Sequence, residues 1–170
     1  AKHRILWLLV LMISATFTGN IIRRFNDVLS SVVILASFIP MLMDTGGNSG
    51  SQSATLIIRG LALGEIKPKD FLKVLWKEFR VSILVGVVLA TVNFLRIYYL
   101  EKVDLMISIT VCLTLFFTVV LAKLVGGLLP IAAKKVNVDP AIMASPLITT
   151  IVDAVALLIY FEFTTIFLGL

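Results

Sequence analysis

Long apolar runs separated by short polar segments organise this chain. Runs at about 5–22, 28–63, 81–95, 105–133 and 141–168 read as membrane-spanning. A helix needs about 20 residues to cross a hydrocarbon core about 30 Å thick. Backbone groups in lipid must be satisfied internally, so the runs are expected as helices. Period-2 alternation is absent, which disfavours a β-barrel. The expected fold is therefore an all-α integral membrane protein with five transmembrane helices, a single transmembrane domain over residues 1–170.

The second run carries a polar interruption from Asp44 to Thr55. Read as a loop, it would be re-entrant or on the surface. Read as helix, Asp44, Asn48, Gln52, Thr55 and Arg59 step by four, four, three and four, which puts them on one face. Gly46, Gly47 and Gly50 would let another backbone approach closely. The helical reading gives one long element with a polar stripe along an aqueous path. Between the second and third runs, residues 67–80 are amphipathic. Pro68 suits a helix start. Phe71, Leu72, Leu75 and Phe79 share one face, with Lys69, Lys73, Lys77 and Glu78 mostly opposite, the pattern of a helix lying on the membrane surface.

Composition agrees: 59% of the 170 residues are hydrophobic, against about 45–50% for soluble domains. The net charge of +5 then belongs to cytoplasmic loops and anionic lipid rather than to nucleic acid. Lys2, Arg4, Lys67, Lys69, Lys73, Lys77, Arg80, Lys134 and Lys135 fall on one side of the spans. Arg23, Arg24, Arg96 and Lys102 fall on the other. The excess of positive charge inside puts the amino terminus in the cytoplasm and the carboxyl terminus outside. Cys112 is the lone cysteine, so an intrachain disulfide is impossible. No signal-peptide cleavage site follows the first run.

Asp153 is the residue with the sharpest chemistry. It lies in the middle of the last apolar run, where a charge costs at least about 2.5–3.5 kcal/mol. Pro146, Thr149, Thr150, Asp153, Ala156 and Tyr160 fall along one flank, whose small and hydroxylated members face protein or water. A carboxylate suits Mg²⁺, Ca²⁺ or Mn²⁺, and Mg²⁺ keeps several waters, so one or two carboxylates can hold it. The competing readings are a proton relay, or a carboxyl paired with Lys123 or bonded to Thr149. Asp44-Thr45-Gly46 matches the tripeptide of aspartic proteases, but no second copy accompanies it and the fold is wrong, so the chain is not expected to be an enzyme. His3 reads as a solvated flank residue. Trp7, Trp76, Tyr98 and Tyr99 read as interfacial anchors.

Two segments carry a family resemblance. Pro40 to Thr55, with its Gly-Gly-Asn-x-Gly-x-Gln core, followed by Arg59-Gly-Leu-Ala-Leu-Gly-Glu-Ile66, resembles the signature of the MgtE family of magnesium channels. Asp139-Pro140 and the stretch from Ser145 to Asp153 resemble that family's last span. The resemblance implies a homodimer with a pore at the subunit interface and Asp153 at its metal site. It implies that Asn48 and the rest of the second-span stripe line the cytoplasmic part. Gln52, Thr149, Thr150, Asp44 and Gly47 are the further pore-lining candidates, with Asp44 a candidate second acidic ring. Mg²⁺ is the expected bound and transported ion, held largely through water. Members of that family also carry amino-terminal helical and CBS domains, so this chain is expected to be the pore part alone.

The functional expectation is Mg²⁺-selective transport across the cell membrane. Two opposed carboxylates would repel unless a cation or proton neutralised one. The alternatives are a proton- or Na⁺-coupled divalent-cation transporter and a membrane interaction module that transports nothing.

Overall fold

A computed structural model describes the backbone of residues 2–169, and all side chains within it except those of residues 2–4, 6, 7 and 142–145. The expectations for the side chains of His3 and Trp7, and of Lys2 and Arg4, lie outside the described residues. Every regular element among the described residues is helical: α1 Lys2–Arg24, α2 Asn26–Ser31, α3 Ile34–Ala62, α4 Phe71–Leu95, α5 Leu105–Lys135 and α6 Pro140–Leu168. A 3₁₀ turn at Pro68–Asp70 leads into α4, and a π turn at Arg96–Leu100 ends it.

Local chemistry fixes the boundaries. The Asp104 carboxylate accepts from the Met106 amide at 2.8 Å and caps α5. Asp139 does the same for Ala141 at 2.9 Å, and Pro140 occupies the first turn of α6, where its missing N–H costs nothing. Gly169 closes α6 in the left-handed region, at φ 68°.

Three described helices are long and apolar enough to cross a membrane: Pro68–Leu100, Leu105–Lys135 and Pro146–Leu168. The polar interruption at Asp44–Thr55 is helical, as the stripe reading expects, and α3 runs through it without a break. The expected second run nevertheless begins as two pieces. Ser31 Oγ donates to the Asp27 carbonyl at 2.8 Å, and Val32 leaves the helix at φ −137°, ψ 84°. A serine back-bond followed by the β-branched Val32, Val33 and Ile34 favours this break. The amphipathic helix expected at residues 67–80 is present but does not end there. α4 runs on from Phe71 to Leu95, and Glu78 is buried rather than solvated. The buried flank is Val74, Glu78, Ser82 and Gly86, stepping by four, then Asn93 two turns on, whereas Leu72 and Trp76 face outward.

α5 is the centre of the bundle, in contact with α3, α4 and α6, and α1 leans on α6. Helices in lipid gain no hydrophobic drive from meeting one another, so close approach and hydrogen bonds must hold them. α5 supplies small side chains for this. Its Thr110 and Thr114 hydroxyls turn back to the carbonyls of Met106 and Thr110, at 2.7 and 2.8 Å, and leave their methyl groups to pack. At one end of the bundle Leu35, Phe38, Leu42, Val111, Leu115, Val119, Leu157 and Phe161 form the main core. Tyr160, fully buried, donates its hydroxyl to the Leu35 carbonyl at 2.9 Å, and Phe25 stacks on Phe161 with ring centroids 4.5 Å apart.

Candidate functional site

The stripe on α3 divides the helix into two faces. Asp44, Asn48, Gln52, Thr55 and Arg59 are all exposed. On the opposite side Gly46, Gly47, Ser49, Gly50, Ser53, Ala54 and Ile57 are buried. Asn48, Ser51, Gln52, Thr55 and Leu56 line an open groove of about 640 Å³. An apolar helix surface would shed water, whereas amide and hydroxyl groups at this spacing hold a continuous row of hydrogen-bonding partners for it.

The buried side seats α3 on α5 and α6 through its glycines. A β-carbon at Gly46 would lie 2.7 Å from both Thr118 Cγ2 and Val152 Cγ1. One at Gly50 would lie 2.6 Å from Ile148 Cγ2 and 3.0 Å from the Ala122 carbonyl oxygen. A β-carbon at Gly47 would lie 3.5 Å from Thr149 Cγ2, so this candidate lies in the α3–α6 contact and not on the exposed stripe. The pairings with α6 run antiparallel and those with α5 parallel, and the α6 pairings set Asp153, next after Val152, at the level of Gly46 on α3.

Asp153 is half-buried, and no described residue forms a hydrogen bond or ion pair with it. The hydroxyls of Thr149 and Thr150 donate to the Pro146 carbonyl at 3.0 and 2.9 Å. Lys123 does not pair with Asp153. Its ammonium donates to Ser53 Oγ at 3.5 Å, and that hydroxyl donates to Glu78 Oε2 at 2.6 Å. The structure thus separates buried Lys123 from half-buried Asp153, which the sequence left as possible partners.

Among the described residues, no three His, Cys, Asp or Glu side chains come together as a metal cage. A hydrated Mg²⁺ does not require one, because its own waters fill most coordination positions. The donor set on α6, the Asp153 carboxylate with the hydroxyls of Thr149 and Thr150 one turn before it, is of the oxygen type that suits a hard cation held through water. Sequence reasoning missed Glu78 and Ser53. The signal was present: Glu78 is the only acidic residue between Phe71 and Leu100, masked by the lysines around it.

Long apolar helices packed around one that carries an exposed polar stripe define a multi-pass membrane protein. The profile of the MgtE family, described as divalent cation transporters, matches residues 39–163, and the chain belongs to this family. It is 38% identical over 168 residues to the magnesium transporter MgtE of Bacillus subtilis, covering 99% of this chain and 37% of that protein. It is 38% identical over 159 residues to the magnesium transporter MgtE of Thermus thermophilus, covering 92% of this chain and 34% of that protein. A relative of the same name from Enterococcus faecalis is 30% identical over 171 residues, which are 99% of this chain and 37% of that protein. The chain thus spans a little over a third of the length of these relatives.

Proposed function

We propose that this chain is a pore domain that conducts Mg²⁺ across the cell membrane as a homodimer. Asp153 from each copy faces the twofold axis and holds the ion through its water shell. The observation that carries this reading is the Asp153 carboxylate on α6, which has no hydrogen-bond or ion-pair partner among the described residues and lies level with the glycine face of the stripe helix. A charge at membrane depth without a protein partner calls for a mobile one. The names and the divalent-cation description of the relatives support the choice of ion.

In this reading all five long helices cross the bilayer, α1 and α3 included. The stripe of Asn48 and Gln52, with Asp44, Thr149 and Thr150 near it, lines the water-filled route, and Gly47 brings α6 close. The amino terminus lies inside. Lys135 stands over the Phe71 ring at 5.6 Å, which puts the basic end of α5 beside the basic start of α4 and supports one shared cytoplasmic face.

The test is Mg²⁺ uptake into proteoliposomes with a membrane potential imposed and no pH or Na⁺ gradient. The wild-type chain is expected to take up Mg²⁺, and Asp153→Asn to lose about tenfold or more. Normal uptake by Asp153→Asn removes the site assignment. Uptake that appears only with a proton or Na⁺ gradient replaces the channel by a coupled transporter, and uptake under no condition favours a module that does not transport.

A further inference from the structure

We propose that Glu78, Ser53 and Lys123 form a positioning latch that sets where α3, and the stripe it carries, stands against α4 and α5. The inference rests on the reading of that stripe as the ion route. None of the three residues reaches the stripe surface. Ser53 is 1% exposed, Glu78 4% and Lys123 5%. Each comes from a different helix, and the hydroxyl of Ser53 joins the other two: it accepts from Lys123 Nζ at 3.5 Å and donates to Glu78 Oε2 at 2.6 Å. The opposite charges therefore communicate through α3, so their attraction acts on that helix.

The bundle is shaped around this group. A β-carbon at Gly127 of α5 would stand 2.9 Å from Glu78 Cγ, so the missing side chain is what admits the carboxylate stem. The residue before it, Gly126, admits the backbone of α3 at Gly50. Well-packed apolar side chains would usually hold three helices at least as firmly as buried charges do. What charges add is a defined register, because a buried charge tolerates only the arrangement that satisfies it. The stripe residue Gln52 is the immediate neighbour of Ser53, so a shift at the back of α3 moves its front.

The test uses Glu78→Gln, Lys123→Met and the double variant, read in two ways. Mg²⁺ flux is measured in proteoliposomes. Spin labels at the exposed positions 56 on α3 and 84 on α4, in a Cys112→Ala background, report the distance between the helices. Each single variant is expected to change flux by roughly three- to thirtyfold, with the half-saturating Mg²⁺ concentration unchanged and the label distance shifted. The double variant, with neither charge left uncompensated, is expected to return both towards wild type. Wild-type flux and distance in the single variants, whatever their thermal stability, overturn the latch. So does a changed half-saturation, which would put the group on the ion route. If the charge variants do not fold, Ser53→Ala decides by the same distance, and an unmoved distance overturns the proposal. If the wild-type chain carries no Mg²⁺, the transport reading falls while the label distances still judge the latch.

Discussion

Gly50 of α3 and Gly126 of α5 meet backbone to backbone: a β-carbon added to Gly126 would run into the carbonyl oxygen of Gly50. Two long helices can lie this close only where both lack side chains. Near it Ala122 offers its carbonyl and Ile148 its methyl group to the same turn of α3. The polar stripe faces outward because this glycine side is what α5 and α6 accept.

Gly126→Ala is therefore expected to destabilise the bundle by about 1–3 kcal/mol, the range for inserting a methyl group into a packed contact. Gly19→Ala is the comparison, since its β-carbon position has no described atom within 4 Å beyond its chain neighbours and its own helix backbone. It should leave the thermal midpoint in detergent unchanged or slightly raised, as alanine favours helix by about 1 kcal/mol. Equal effects at the two sites would remove the close-contact argument.

Tyr160→Phe keeps the ring in its buried place and deletes the donor to the Leu35 carbonyl. A loss of about 0.5–1.5 kcal/mol is expected, read by thermal or denaturant unfolding. Phe161→Ala, which also removes the stack on Phe25, is expected to cost more, about 3–5 kcal/mol. The reverse order would show that the hydroxyl and not the aromatic packing holds α6 to the start of α3.

Cysteines placed along α3 should divide by face. At Asn48, Gln52 and Thr55, in a Cys112→Ala background, they are expected to react with a membrane-impermeant thiol reagent from the water-filled side. At Ser49 and Ser53, both buried, they should remain unlabelled on the same timescale. Uniform labelling of both faces would mean that the helix is not seated as described, and protection of both would mean that the stripe is dry.

Asp44 is exposed at one end of the stripe. As a second acidic ring it would concentrate cations without binding them tightly. Asp44→Asn is then expected to raise the half-saturating Mg²⁺ concentration by about two- to fivefold at low ionic strength and by less in high salt. An effect independent of salt would place Asp44 in direct contact with the ion.

Much of the fold was legible in one dimension because its cause is one-dimensional. Lipid demands about 20 apolar residues per crossing helix, and the apolar runs at 105–133 and 141–168 answer to α5 and α6 nearly end to end. The stripe was legible for a similar reason: a helix repeats every 3.6 residues, so Asp44, Asn48, Gln52, Thr55 and Arg59 had to share a face once the segment was helical. The family followed from the same residues.

What stood opposite each face was settled only by the tertiary structure. Periodicity groups residues on one helix but says nothing of the neighbour they meet. Glu78, amid lysines, read as solvated until α3 and α5 closed over it, and Lys123 could as well have sought Asp153 as Ser53. Gly47 shares the polar segment with Asn48 yet turns the other way, into Thr149. The break at Val32 turned on competition between a local serine back-bond and continued helix, a balance too small for pattern to decide. Sequence by itself determined which runs are long and apolar enough to be helices of a membrane protein and which residues share a face, because length and period are properties of a single helix. Tertiary packing decided that Lys123 and Glu78 meet through Ser53 and that no described residue pairs with Asp153, because partnership depends on where three or more helices meet.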